Sequence, residues 1–144
     1  MGGGTQELYV LSDDRRAEAV RAFLERFLPG RAIQRDEFWI PEFANPPREV
    51  LRTEDGILEH LEAHADEPYG LYWDHGDGLA PRQALVFYTR DGNVILGLAD
   101  LPERAPELLR ELARFAGSSH ALMGWEQRPP DTAREFIEWC RRQG

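Results

Sequence analysis

Residues 83–99 read QALVFYTRDGNVILGLA, two apolar runs joined across Asp91-Gly92. Asp-Gly between β-prone runs is the strongest short-range hairpin signal a sequence carries. A two-residue loop there predicts that Tyr88 pairs with Ile95 and Val86 with Gly97. Leu85, Phe87, Val94, Leu96 and Leu98 then share the opposite face. Both faces are largely apolar. Such strands sit in the middle of a sheet covered on both sides, or leave one side for a partner.

The elements around this hairpin follow from periodicity and punctuation. Gln6 to Leu11 reads as a first strand, and Ser12-Asp13-Asp14 as an N-cap cluster. Ala17, Val20, Phe23, Leu24, Phe27 and Leu28 recur at helical spacing up to Pro29-Gly30. Arg31 to Pro41 predicts a second strand with broken alternation, followed by a loop at Asn45-Pro46-Pro47. Thr53 caps a helix over roughly Glu54 to Asp66, which Pro68 stops. Tyr69 to Trp73 is a strand ahead of the hairpin. Asp100, Pro102 and Glu103 mark the start of a third helix, and Gly117 its C-cap. His120 to Glu126 predicts an edge strand, and Thr132 to Glu135 a capping box before a last helix.

The predicted order is β-α-β-α-β-β-β-α-β-α. It implies one α+β domain over residues 6–144 after a flexible leader at 1–5, with a mainly antiparallel sheet of five to six strands and four helices. A chain of 144 residues buries a core without staples. Cys140 is the only cysteine, so no internal disulfide forms, and a reducing, cytoplasmic compartment is expected. The amino terminus lacks the basic start and apolar stretch of a signal peptide, and no run approaches a membrane span.

All 17 basic residues are arginine, so lysine chemistry is excluded. The formal charge is −9 and unevenly spread. Residues 42–78 hold 10 acids against Arg48 and Arg52 alone. Such a segment repels nucleic acid and anionic membrane and suits a basic protein partner. Within it, Asp55, Glu59, Glu62 and Asp66 fall within about one-sixth of the helix circumference. No arginine is interleaved to make i,i+4 pairs, so the stripe is expected to be a binding surface. Trp73, Asp74 and Asp77 in WDHGDG extend it, with Trp73 the tryptophan expected at the surface. His60 and His64 have two-histidine metal spacing but no third ligand. The 73–78 loop lacks a full calcium pattern. No metal or cofactor is expected. The sequence has no GxGxxG, Walker or nucleophile-elbow motif.

Tyr69 to Leu98, with the acidic helix before it, resembles the central part of small bacterial immunity-type proteins, which neutralise toxins delivered by a neighbour. The resemblance covers about a third of the chain and lies in a small α+β domain with an acidic stripe and an aromatic-rich hairpin. It implies inhibition without catalysis: the carboxylates fill a basic cleft as a phosphate mimic. The competing expectations are a small enzyme using carboxylates and a histidine in a pocket on the sheet, and a structural oligomeric subunit.

Overall fold

The computed structural model describes residues 4–76, 78–124 and 127–143. The chain runs β1 (Gln6–Ser12), α1 (Ala17–Phe27), β2 (Ala32–Ile33), β3 (Phe38–Ile40), β4 (Glu49–Leu51), α2 (Glu54–Ala63), β5 (Tyr69–Asp74), β6 (Gln83–Tyr88), β7 (Val94–Asp100), α3 (Ala105–Ala116), β8 (Ala121–Gly124) and α4 (Ala133–Gln143). Six strands form an antiparallel sheet in the order β2-β5-β6-β7-β1-β8, and β3 pairs with β4 separately. The class is therefore α+β, one domain with four helices among the described residues. Of the leader expected over residues 1–5, the first three lie outside the described residues.

β6 and β7 are central, as their two apolar faces require. On one face Leu8, Val10, Trp73, Val86, Tyr88, Val94, Leu96 and Leu98 pack under apolar residues of α1, α2 and α3. On the other, Tyr9, Leu85, Phe87, Ile95, Ala99 and Leu122 pack with Phe136 and Trp139 of α4. Every residue of β7 is buried.

The hairpin is slipped by one residue from its predicted register. Tyr88 pairs with Val94 and Val86 with Leu96. The Thr89 N–H donates to the Asn93 carbonyl at 3.0 Å, which closes a three-residue loop of Arg90, Asp91 and Gly92. Gly92 takes φ 89° at its last position, the place where three-residue hairpin loops put their left-handed residue. A slip of one moves every side chain of a strand to the other face. Leu85 and Phe87 consequently lie with Ile95 and Ala99 rather than with Leu96 and Leu98. The physical reason lies outside the dipeptide. Both Asp91 carboxylate oxygens accept from the Ala133 N–H at the start of α4, at 2.9 Å. The Arg90 N–H donates to the Asp131 carbonyl at 2.8 Å. The longer loop lets Asp91 act as a helix cap. Replacing Gly92 by Val is expected to cost about 1–3 kcal/mol, because a β-branched residue is strained at that φ. A urea midpoint equal to wild type would remove this turn assignment.

Other boundaries also differ. The expected strand over 31–41 is two short strands in two sheets, parted by the polar run Gln34 to Glu37. α1 starts after Arg16 with no side-chain cap of its own, so Ser12-Asp13-Asp14 does not cap it. α3 starts after Arg104, while Asp100 ends β7 with its side chain fully buried. α2 ends at Ala63 rather than Asp66. The Thr53 cap accepts from the Gly56 N–H at 2.9 Å, and Gly117 closes α3 at φ 62°, both as predicted. β8 is an edge strand; Trp125 and Glu126, expected within it, lie outside the described residues.

Candidate functional site

The acidic stripe sits on α2 where α2 packs beside α1. Asp55 and Glu59 both reach Arg21 of α1, at 2.9 and 3.4 Å. Their side chains stay 71% and 68% exposed. Glu62 turns toward α1 and accepts from the Ala17 N–H at 2.7 Å, supplying the cap that α1 lacks. Asp66 follows α2 in an exposed turn. The missing i,i+4 arginines are thus replaced by one arginine from a neighbouring helix, and one stripe residue holds the two helices together.

Trp73 requires a correction. It is 0% exposed, because strand alternation points Tyr69, Leu71 and Trp73 toward the helices. Its indole N–H donates to Glu54 Oε1 at 2.8 Å. Burial alone would raise the Glu54 carboxyl, but hydrogen bonds from Arg31 and Trp73 outweigh it and hold the group below its ordinary range. Asp74 points to the opposite face and accepts from the amides of Gln34 and Gln83 at 3.0 and 3.1 Å. Asp77 lies outside the described residues. The stripe, Trp73 and Asp74 do not form one continuous patch.

The His60 and His64 rings stack with centroids 4.1 Å apart. His60 Nε2 lies 3.6 Å from the Glu67 carboxylate, and His64 Nδ1 is 2.7 Å from the His60 carbonyl. Among the described residues, no group of three or more His, Cys, Asp and Glu side chains is placed to hold a metal ion. Nor is any helix long and apolar enough to cross a membrane.

A second constellation went unread in the sequence. Glu42 stands in the proline-bounded loop after β3, and its side chain is only 5% exposed. It accepts two hydrogen bonds from Arg128, at 2.7 and 3.2 Å, and one from the Gly70 N–H at 3.0 Å. The Arg128 guanidinium carbon lies 5.3 Å from the Phe43 ring centroid and 5.1 Å from that of Phe87. A Cβ on Gly70 would come within 3.0 Å of Arg128 and Phe87, so glycine there makes room for the pair. Next to it, β3 is pinned by the Tyr69 hydroxyl, which donates to the Trp39 carbonyl at 2.9 Å. Burial pushes that phenol up to about 12. The whole arrangement presents Phe43 at 77% exposure on a fixed loop.

Arg128 lines a cavity of about 390 Å³ against Glu135, Glu138 and Trp139 of α4, and two more besides. The larger of these two, about 520 Å³, lies between the 41–44 loop and the 127–131 segment. The smaller, about 260 Å³, lies on the sheet over Glu7, Tyr9, Tyr72 and Leu85, with no histidine in its wall. Burial, with Glu7 and Tyr72 beside it, raises the Tyr9 phenol above its ordinary value.

These features define a single-domain α+β protein with a charged helical face and a separate aromatic groove. No protein-family model, curated protein or solved structure matches the chain.

Proposed function

We propose that the chain is a non-enzymatic acidic binding protein of immunity type, an inhibitor of a basic partner protein. The observation that carries this reading is the exposed carboxylate edge of α2, where Asp55 and Glu59 share Arg21. Asp55 and Glu59 stand in solvent, and Asp66 is exposed in the turn beyond them. These carboxylates stand at the surface of a chain of formal charge −9. A basic partner meets that field at a distance, and association accelerates.

The test uses the variant Asp55→Asn/Glu59→Gln/Asp66→Asn and the product of the gene immediately upstream. At low salt its association is expected to slow about tenfold, with dissociation little changed and the salt dependence flattened. The free variant should melt close to wild type, since exposed pairs such as those to Arg21 contribute a few tenths of a kcal/mol. An association rate indifferent to both the substitutions and salt, or no association at all, would sink the reading.

A further inference from the structure

We infer that the groove beside Phe43, rather than the α2 stripe, is where the basic partner docks, and that it receives an arginine or lysine side chain flanked by an apolar residue. The inference rests on the proposed function and specifies its contact surface. Pro41, Phe43, Pro68 and Pro129 make the apolar walls, with Asp131 exposed at the edge and the largely buried Glu67 beneath. Long cationic side chains lay an apolar stem along such walls and keep the charged head at a polar edge.

Charge complementarity selects the cation. Arg128 is the single basic residue among those lining the groove, and Glu42 already neutralises it through a bidentate pair. Glu67 has His60 3.6 Å from its carboxylate, with the Arg15 charge nearby. Asp131 pairs with Arg90 at 3.3 Å across an exposed surface, where both side chains are more than half exposed. The groove lining thus holds three carboxylates, Glu42, Glu67 and Asp131, against Arg128, while Arg35 and Arg90 reach Glu42 and Asp131 from outside it.

Preorganisation selects this groove over the stripe. Aromatic anchors and arginine in a desolvated centre dominate interface energies, and Phe43 is the most exposed large hydrophobic side chain among the described residues. Its loop is held by the Glu42 contacts to Arg128 and Gly70, so little freedom is lost when a partner covers it. The stripe on α2 offers charge alone, already shared with Arg21.

The experiment is an amide-resolved NMR titration of the whole protein with two peptides, acetyl-Gly-Arg-Leu-Arg-Gly-amide and its glutamate counterpart. The arginine peptide is expected to shift the amides of Phe43, Ala44, Glu67 and Asp131, and the glutamate peptide to leave them unmoved. Phe43→Ser and Asp131→Asn should each retain the folded spectrum, since both side chains are exposed. Each is expected to weaken binding several-fold, and Phe43→Ser roughly tenfold. Shifts confined to Asp55, Glu59 and Asp66 would overturn the groove while supporting a basic partner. An equal response to both peptides would also overturn the groove, and no response anywhere would overturn groove and partner reading together.

Discussion

Replacing Arg15 by methionine is expected to lower the unfolding free energy by about 3–5 kcal/mol, the largest loss foreseen for any single side chain here. Arg15 sits just before α1 and is almost fully buried. Among the described residues no carboxylate forms an ion pair with it, though the charges of Asp66, Glu67 and Asp91 act on it from farther away. Its five N–H groups instead reach six carbonyl oxygens, so at least one is shared. Four belong to the end of α2 and the turn beyond it: Leu61 at 3.0 Å, His64 at 3.0 Å, Ala65 at 3.1 Å and Glu67 at 3.1 Å. The other two, Thr89 at 2.7 Å and Asn93 at 3.2 Å, close the β6–β7 hairpin. One guanidinium thus fastens the end of a helix to the central hairpin, where helix carbonyls lack intrahelical donors and the helix dipole favours a cation. Its planar group also lies 5.0 Å from the Tyr88 ring centroid. Burial pulls the Arg15 pKa down, but an arginine side chain keeps its charge throughout the accessible pH range. Methionine fills much of the same volume and leaves those carbonyls without donors. Arg15→Lys keeps the charge with three donors and no planar fork, and should lose part of the stability. The measurement is urea unfolding of the three proteins. Arg15→Met within about 0.5 kcal/mol of wild type would show that water replaces the network at no cost. Equal loss in both variants would assign the effect to the fork geometry alone.

Period and punctuation carried most of the architecture. The apolar stripe of α1, the Thr53 and Thr132 caps and the Gly117 terminus are local signals, and they appear where the sequence places them. What stayed illegible depends on residues distant in sequence. The hairpin register was misread because Asp91 is drawn to a helix start 42 positions away. Trp73 lies inside although its sequence neighbours are acidic, because strand alternation and not nearby charge sets its side. The net charge of residues 42–78 is partly offset in space. Arg21, Arg31 and Arg128 come from other parts of the chain and meet Asp55, Glu54 and Glu42. The Glu42–Arg128 pair spans 86 positions, and only the prolines around each partner hinted that these loops were held in place.

Glu42→Ala is the second substitution expected to have a large effect, a loss of about 2–4 kcal/mol. The figure lies below the full cost of breaking a buried pair because Arg128 is 39% exposed and water will solvate it once it is freed. Three donors lose their acceptor together: both Arg128 terminal nitrogens and the Gly70 N–H. Gly70 is a buried residue of β5, so its orphaned amide carries a desolvation cost of its own. Arg128→Met supplies the other arm of a double-mutant cycle. It removes the charge while keeping an apolar stem over Phe87, and should cost less than Glu42→Ala. The double variant should lose less than the sum of the single losses, with a coupling of about 1–3 kcal/mol. Hydrogen exchange separates the clamp from a diffuse packing effect. In Glu42→Ala the Gly70 amide should lose more protection than its neighbours Leu71 and Trp73, and the Phe43 and Ala44 amides should exchange faster while the β7 core stays protected. If Gly70 remains as protected as in wild type and the two losses add without coupling, Glu42 and Arg128 do not act as a unit. The fixed presentation of Phe43, on which the docking surface depends, then fails with them.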